Sequence, residues 1–117
     1  MRRLDRPQDR MQGVVTYELD DGRFVQFDAR TVADVGIDEL MRHAGIEPPT
    51  GRLPVYQRGK KVGTVPASFE PMAIKNTSFF YEPRGGDFIR TDDGWEACHT
   101  ICPGDFDAIP GFVWDRG

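Results

Sequence analysis

The chain has 117 residues, 38% hydrophobic and 29% charged, with a formal net charge of −4 and a pI near 5.1. That length suits one domain, and the polarity is moderate, which excludes a disordered polyelectrolyte. Eight Phe, three Tyr and two Trp provide core material, and two cysteines are too few for a disulfide-stapled secreted scaffold.

Residues 1–12 are polar and show no apolar period, so they are expected as a flexible N-terminal arm ahead of a single α+β domain over 13–117. Arg2, Arg3, Arg6 and Arg10 resemble the basic front of a signal peptide. However, Asp5, Gln8, Asp9 and Gln12 interrupt any apolar stretch, whereas a secretory signal needs roughly 7–15 apolar residues and a membrane span about 20. A cytoplasmic location and no membrane partner are the expectation.

Val14 to Leu19 and Arg23 to Phe27 are β-branched and aromatic runs separated by Asp20-Asp21-Gly22. Gly accepts positive φ and Asp bonds its own backbone, so this reads as a tight hairpin with Val15, Tyr17 and Leu19 on one face. A short helix follows. Thr31 with Asp34 has a loose capping-box spacing, and Gly36 weakens the middle. The core of the helix runs from Ile37 to Ala44, with an apolar stripe of Ile37, Leu40, Met41 and Ala44. Gly45 gives a left-handed stop, Ile46 folds back on the last turn, and Pro48 and Pro49 prevent continuation. His43 falls in the last turn, where a cation is favourable on electrostatic grounds alone.

Val55-Tyr56-Gln57 and Val62 to Val65 predict a second hairpin with Arg58-Gly59-Lys60-Lys61 at its tip and Pro66 ending the strand. Gly63-Thr64-Val65-Pro66-Ala67-Ser68-Phe69 resembles the Gly-x-hydrophobic-Pro-x-Ser/Asn-aromatic stretch near the end of SH3 domains. In that family the proline and aromatic help line a groove for proline-rich peptides. The likeness covers seven residues, without the family's tryptophan pair or its Ala-Leu-Tyr-Asp-Tyr opening. It implies a strand-turn-strand and no binding site.

Met72 to Asn76 reads as a helical turn, Thr77 to Tyr81 as a strand and Pro83 to Gly86 as a turn. Phe88 to Thr91 and Trp95 to His99 flank a second Asp-Asp-Gly, at 92–94, and predict a third hairpin. In the last segment Asp105 is placed to cap a single turn that Pro110 closes. The fold expected is therefore α+β, an antiparallel hairpin-rich curved sheet or small barrel with one short helix.

Cys98, His99 and Cys102 form the densest cluster of reactive residue types. A structural zinc takes four ligands, and this cluster offers three. If residues 95–102 were extended, the cysteine Cα atoms, four steps apart, would stand about 13 Å from each other, well beyond the roughly 7 Å limit of a disulfide. Only a bend near Thr100 or Ile101 brings them together. Small buried hydrophobes are the commoner role of free cysteines, so no metal or cofactor is expected. Nor does any pair of the carboxylates Asp87, Asp92, Asp93, Glu96, Asp105 and Asp107 stand out for acid–base work, and the phosphate-loop, nucleophile-elbow and dinucleotide patterns are missing.

Charge is uneven: −3 over residues 1–49, +4 over 50–84 and −5 over 85–117. The basic middle includes Arg52, Arg58, Lys60, Lys61 and Arg84, which suggests a phosphate grip. Nucleic-acid-binding domains are commonly basic overall, with pI above about 9, and the 58–61 charges are sufficiently explained as a solvated tip. Eight of the thirteen aromatics lie in 79–117, and Phe112, Val113 and Trp114 either dock on their own domain or are offered to another chain. Docking is the favoured reading.

Three functions follow as expectations. The first is a small non-catalytic binding protein, of the bacterial or phage accessory kind, acting on another protein or on itself through Arg58, Lys60, Lys61, Phe112 and Trp114. The second is a nucleic-acid-binding module using the basic segment 52–84. The third is a metal- or thiol-dependent protein using Cys98, His99 and Cys102.

Overall fold

A computed structural model describes residues 1–4, 6–71 and 88–116, and the expected elements between Met72 and Gly86 lie outside them. The class is α+β, and the described residues form two open sheets with no closed barrel among them. The first sheet has strand order β1-β2-β3, from β1 (Arg2–Leu4), β2 (Val14–Glu18) and β3 (Phe24–Asp28), all antiparallel. The second is ordered β6-β7-β4-β5-β8, from β4 (Arg52–Gln57), β5 (Lys60–Pro66), β6 (Phe88–Arg90), β7 (Trp95–Ala97) and β8 (Val113–Trp114). Its β4–β7 pairing is parallel, an exception to the hairpin expectation.

All three predicted hairpins form. In the first, Gly22 takes φ 88° and Leu19 N donates to Arg23 O at 2.8 Å, while Asp21 accepts from Arg23 N at 3.0 Å. In the second, Arg58 and Gly59 have φ 54° and 79°, the two positive values of a type I′ connection. Lys60 and Lys61 are thereby drawn into β5 rather than left in the tip. In the third, Thr91 N donates to Gly94 O at 2.9 Å.

Where an arm is expected over residues 1–12, the described residues include β1 and α1 (Pro7–Gln12). Arg2 donates to Glu18 Oε1 at 3.1 Å, and Arg6, bonded to both oxygens of the buried Asp9 at 2.8 and 2.9 Å, donates to Thr16 Oγ1 at 3.2 Å. A search for apolar periodicity passes over such a segment.

The single expected helix is two, α2 (Ala29–Val35) and α3 (Ile37–His43), broken at Gly36 with φ 96°. Asp28 rather than Thr31 caps α2, accepting from Arg30 N at 2.9 Å and Thr31 N at 3.2 Å. The α3 stop follows expectation, with Gly45 at φ 76° and Ile46 N donating to Met41 O at 2.8 Å. Ala44 is exposed and leaves the stripe. A fourth helix, α4 (Pro103–Asp107), has Asp105 at its third position reaching back to accept from Cys102 N at 3.1 Å.

The apolar interior divides in two. Val15 and Tyr17 of β2 pack on Val32, Ile37 and Met41 of α2 and α3. Val55, Val65, Phe69, Phe88, Trp95, Phe106 and Ile109 form a larger, aromatic cluster on the second sheet. Phe69 meets Phe88 and Trp95 edge to face, with centroids 5.4 and 5.3 Å away, the geometry that ring quadrupoles favour. Glu70 and Arg3 tie the two halves together. The Glu70 side chain is 0% exposed and accepts from Arg3 Nε at 2.6 Å and Nη2 at 3.1 Å.

Candidate functional site

The sequence-predicted residues occupy three separate places. Cys98 closes a turn in which Ile101 N donates to Cys98 O at 3.1 Å, and Gln57 Nε2 pins it by donating to Cys98 O and Ile101 O, both at 2.9 Å. The chain thus bends here rather than running extended. Cys98 Sγ lies 3.1 Å from Thr100 Oγ1, and Cys102 Sγ lies 3.8 Å from Thr100 O. Both residues remain thiols, Cys102 and His99 face outward, and no metal-holding cluster of three His, Cys, Asp or Glu occurs among the described residues.

Phe112 and Trp114 fold back on their own sheet. Phe112 stacks on Phe106 with centroids 5.2 Å apart, Trp114 meets Phe106 edge-on at 5.5 Å, and Trp114 Nε1 donates to Asp107 Oδ1 at 2.7 Å. Gly63 permits this approach: a Cβ there would stand 2.4 Å from Val113 O and 2.5 Å from the Phe112 ring. Only Val113 of the three faces outward.

Arg58, Lys60 and Lys61 are exposed at the β4–β5 tip, and none has an ion-pair partner among the described residues. Arg52 is committed elsewhere, its guanidinium donating to Thr64 Oγ1 at 2.8 Å, to Thr64 O at 3.0 Å and to Gly111 O. Tyr56, beside the tip, donates its hydroxyl to Asp93 Oδ2 at 3.0 Å, and this bond raises the phenol's pKa above its ordinary value.

The site that sequence reasoning missed lies at the other end of β5. Six residue steps at about 3.3 Å separate Lys60 from Pro66, so the two ends are about 20 Å apart. There a groove of about 500 Å³ runs between α2–α3 and the turn after β5, with Val35, Ile37, Pro66, Phe69 and Pro110 as apolar walls. That is the size of a small-ligand or side-chain pocket. Val35 is unusually exposed for its type.

The charges around the groove do not cancel. Glu70 is neutralised by Arg3, and Glu39 pairs with Arg42 at 3.8 Å and His43 at 3.6 Å. Asp38 has no hydrogen-bond or ion-pair partner among the described residues, and its Oδ1 is buried. A half-buried carboxylate without a donor is costly, and among the described residues nothing in the groove offsets that cost. No family model matches the chain, and the comparisons with curated proteins and with solved structures found no match.

Proposed function

We propose that the protein is a small non-catalytic binding or accessory protein, and that it holds a segment of another protein in the groove between α3 and the 66–70 turn. The observation that supports this is the uncompensated Asp38 carboxylate in an otherwise apolar groove of about 500 Å³. Apolar walls gain from covering aliphatic side chains at roughly 25 cal/mol per Å², and a buried carboxylate gains from a cationic donor. A segment with a basic residue flanked by aliphatic ones satisfies both.

The test is a titration of the ¹⁵N-labelled protein with two blocked tripeptides, arginine or glutamate between two leucines. The arginine peptide is expected to shift the amides of Val35, Asp38, Ser68 and Gly111, and Asp38→Asn to weaken it about tenfold. Equal responses to both peptides, or an indifferent Asp38→Asn, would refute the reading.

A second reading has its own observation. Arg58 in the two-residue turn and Lys60 and Lys61 at the start of β5, none with an ion-pair partner among the described residues, suit a polyanion such as nucleic acid. Affinity for a mixed-sequence DNA duplex would then fall steeply with salt and vanish in an Arg58→Ala/Lys60→Ala/Lys61→Ala variant. The overall negative charge weighs against it.

A further inference from the structure

Where the two sheets meet, a second cavity of about 170 Å³ is lined by Arg3, Tyr17, Leu53, Phe69, Arg90 and Trp95 among others. Both guanidiniums sit on the same indole: Arg3 Cζ is 5.0 Å and Arg90 Cζ 5.7 Å from the Trp95 ring centroid. Such cation–π placement is favourable when water is excluded, but it does not neutralise charge.

Arg3 is matched by Glu70. Arg90 is not matched: its Nη1 donates to the carbonyls of Thr91 at 2.8 Å and Gly94 at 2.5 Å, and no carboxylate pairs with it among the described residues. Asp92 and Asp93, in the adjoining turn, act on it only from farther away, and burial and then the charge of Arg3 push its pKa down. Tyr17, buried in the same wall, has its pKa raised by burial and then by Glu70, so the phenol stays neutral and supplies no compensating charge. The Trp95 indole carries a buried Nε1–H with no acceptor among the described residues. Among the described residues the seam therefore leaves the Arg90 guanidinium without a carboxylate partner, beside the rings of Tyr17, Phe69 and Trp95.

The geometry points to a binding site for a small planar aryl carboxylate, its carboxylate against Arg90 and its ring among Tyr17, Phe69 and Trp95. Size sets the class. At about 30 Å³ per water, the cavity has room for five or six waters, which fits a benzoate-sized molecule and excludes a nucleotide. A flat carboxylate also matches the fork of an arginine, which favours bidentate planar partners. This site is separate from the groove at Asp38 and does not depend on that reading.

The test uses the Trp114→Phe protein, in which Trp95 is the sole indole emitter. Sodium benzoate, neutral benzamide and inorganic phosphate are each titrated at constant ionic strength. Benzoate is expected to change Trp95 emission saturably at concentrations on the order of 1–10 mM. Benzamide is expected to bind at least about tenfold more weakly, as is benzoate to an Arg90→Gln variant, and phosphate not to compete. Equal binding of benzamide and benzoate, undiminished binding by folded Arg90→Gln, or equally tight binding of phosphate would each overturn the proposal. Should Arg90→Gln fail to fold, the benzoate–benzamide comparison decides the matter on the protein with Arg90 in place.

Discussion

Glu70→Gln tests how the two halves of the molecule are held together. In the native chain both Glu70 oxygens accept from the Arg3 guanidinium, at 2.6 and 3.1 Å, and the carboxylate is fully shielded from water while Arg3 is only 11% exposed. Glutamine keeps the shape and one acceptor oxygen, but turns an NH₂ toward an N–H and removes the Glu70 charge from the shielded Arg3 guanidinium. Breaking a buried pair from one side costs about 3–5 kcal/mol, and the retained acceptor puts this case near about 3 kcal/mol. With a urea m-value of about 1.5 kcal/mol/M, the midpoint falls by about 2 M. At about 4 °C per kcal/mol for a chain of this length, the melting temperature falls by about 12 °C. An Arg3→Met/Glu70→Leu double variant removes both charges and is expected to lose less than Glu70→Gln alone, as replaced ion pairs do. A loss below about 1 kcal/mol for Glu70→Gln, or a double variant worse than the single one, would refute the argument.

Gly63→Ala forces a methyl into Val113 O and the Phe112 ring. It is expected to cost about 1–3 kcal/mol and to speed hydrogen exchange at the Asp115 amide, which donates to Val62 O at 3.0 Å. Asp28→Ala removes the α2 cap and should cost about 1 kcal/mol by urea unfolding. Tyr17 predicts an alkaline dependence. Its folded pKa is raised above the ordinary 10.0, chiefly by burial, so the folded state keeps a proton that the unfolded chain releases. Its contribution is intact below pH 10 and declines above it by about 1.4 kcal/mol per pH unit. Denaturation midpoints across pH 9–11 should show this slope, and Tyr17→Phe should remove it. Cys102→Ala, at an exposed thiol, should change stability by less than about 0.5 kcal/mol and leave zinc content unchanged by elemental analysis.

Local chemistry was readable where neighbours in sequence are also neighbours in space. The three hairpins follow from alternating β-prone runs around Asp-Asp-Gly and Arg-Gly turns, because turn residues and the two-residue period act within a few positions. The Gly45 stop with Ile46 folding back is of the same kind, whereas Asp105, expected to cap its turn, sits instead at the third position of α4, with Cys102 as the N-cap. The break at Gly36 was visible as a weak point, but its φ of 96° and the resulting two helices were not.

What only the tertiary structure decided are the pairings of distant charges and the spaces between elements. Arg3 and Glu70 are 67 positions apart, so nothing local marks Arg3 as bonded to the turn after β5, and an ionic contact leaves no apolar period. The division of the interior into two clusters depends on which sheet each hairpin joins, and a strand's own sequence does not encode its partner. The groove at Asp38 and the seam at Arg90 are likewise gaps between segments remote in the chain. A carboxylate or guanidinium there looks like any surface charge until folding withholds its counterion.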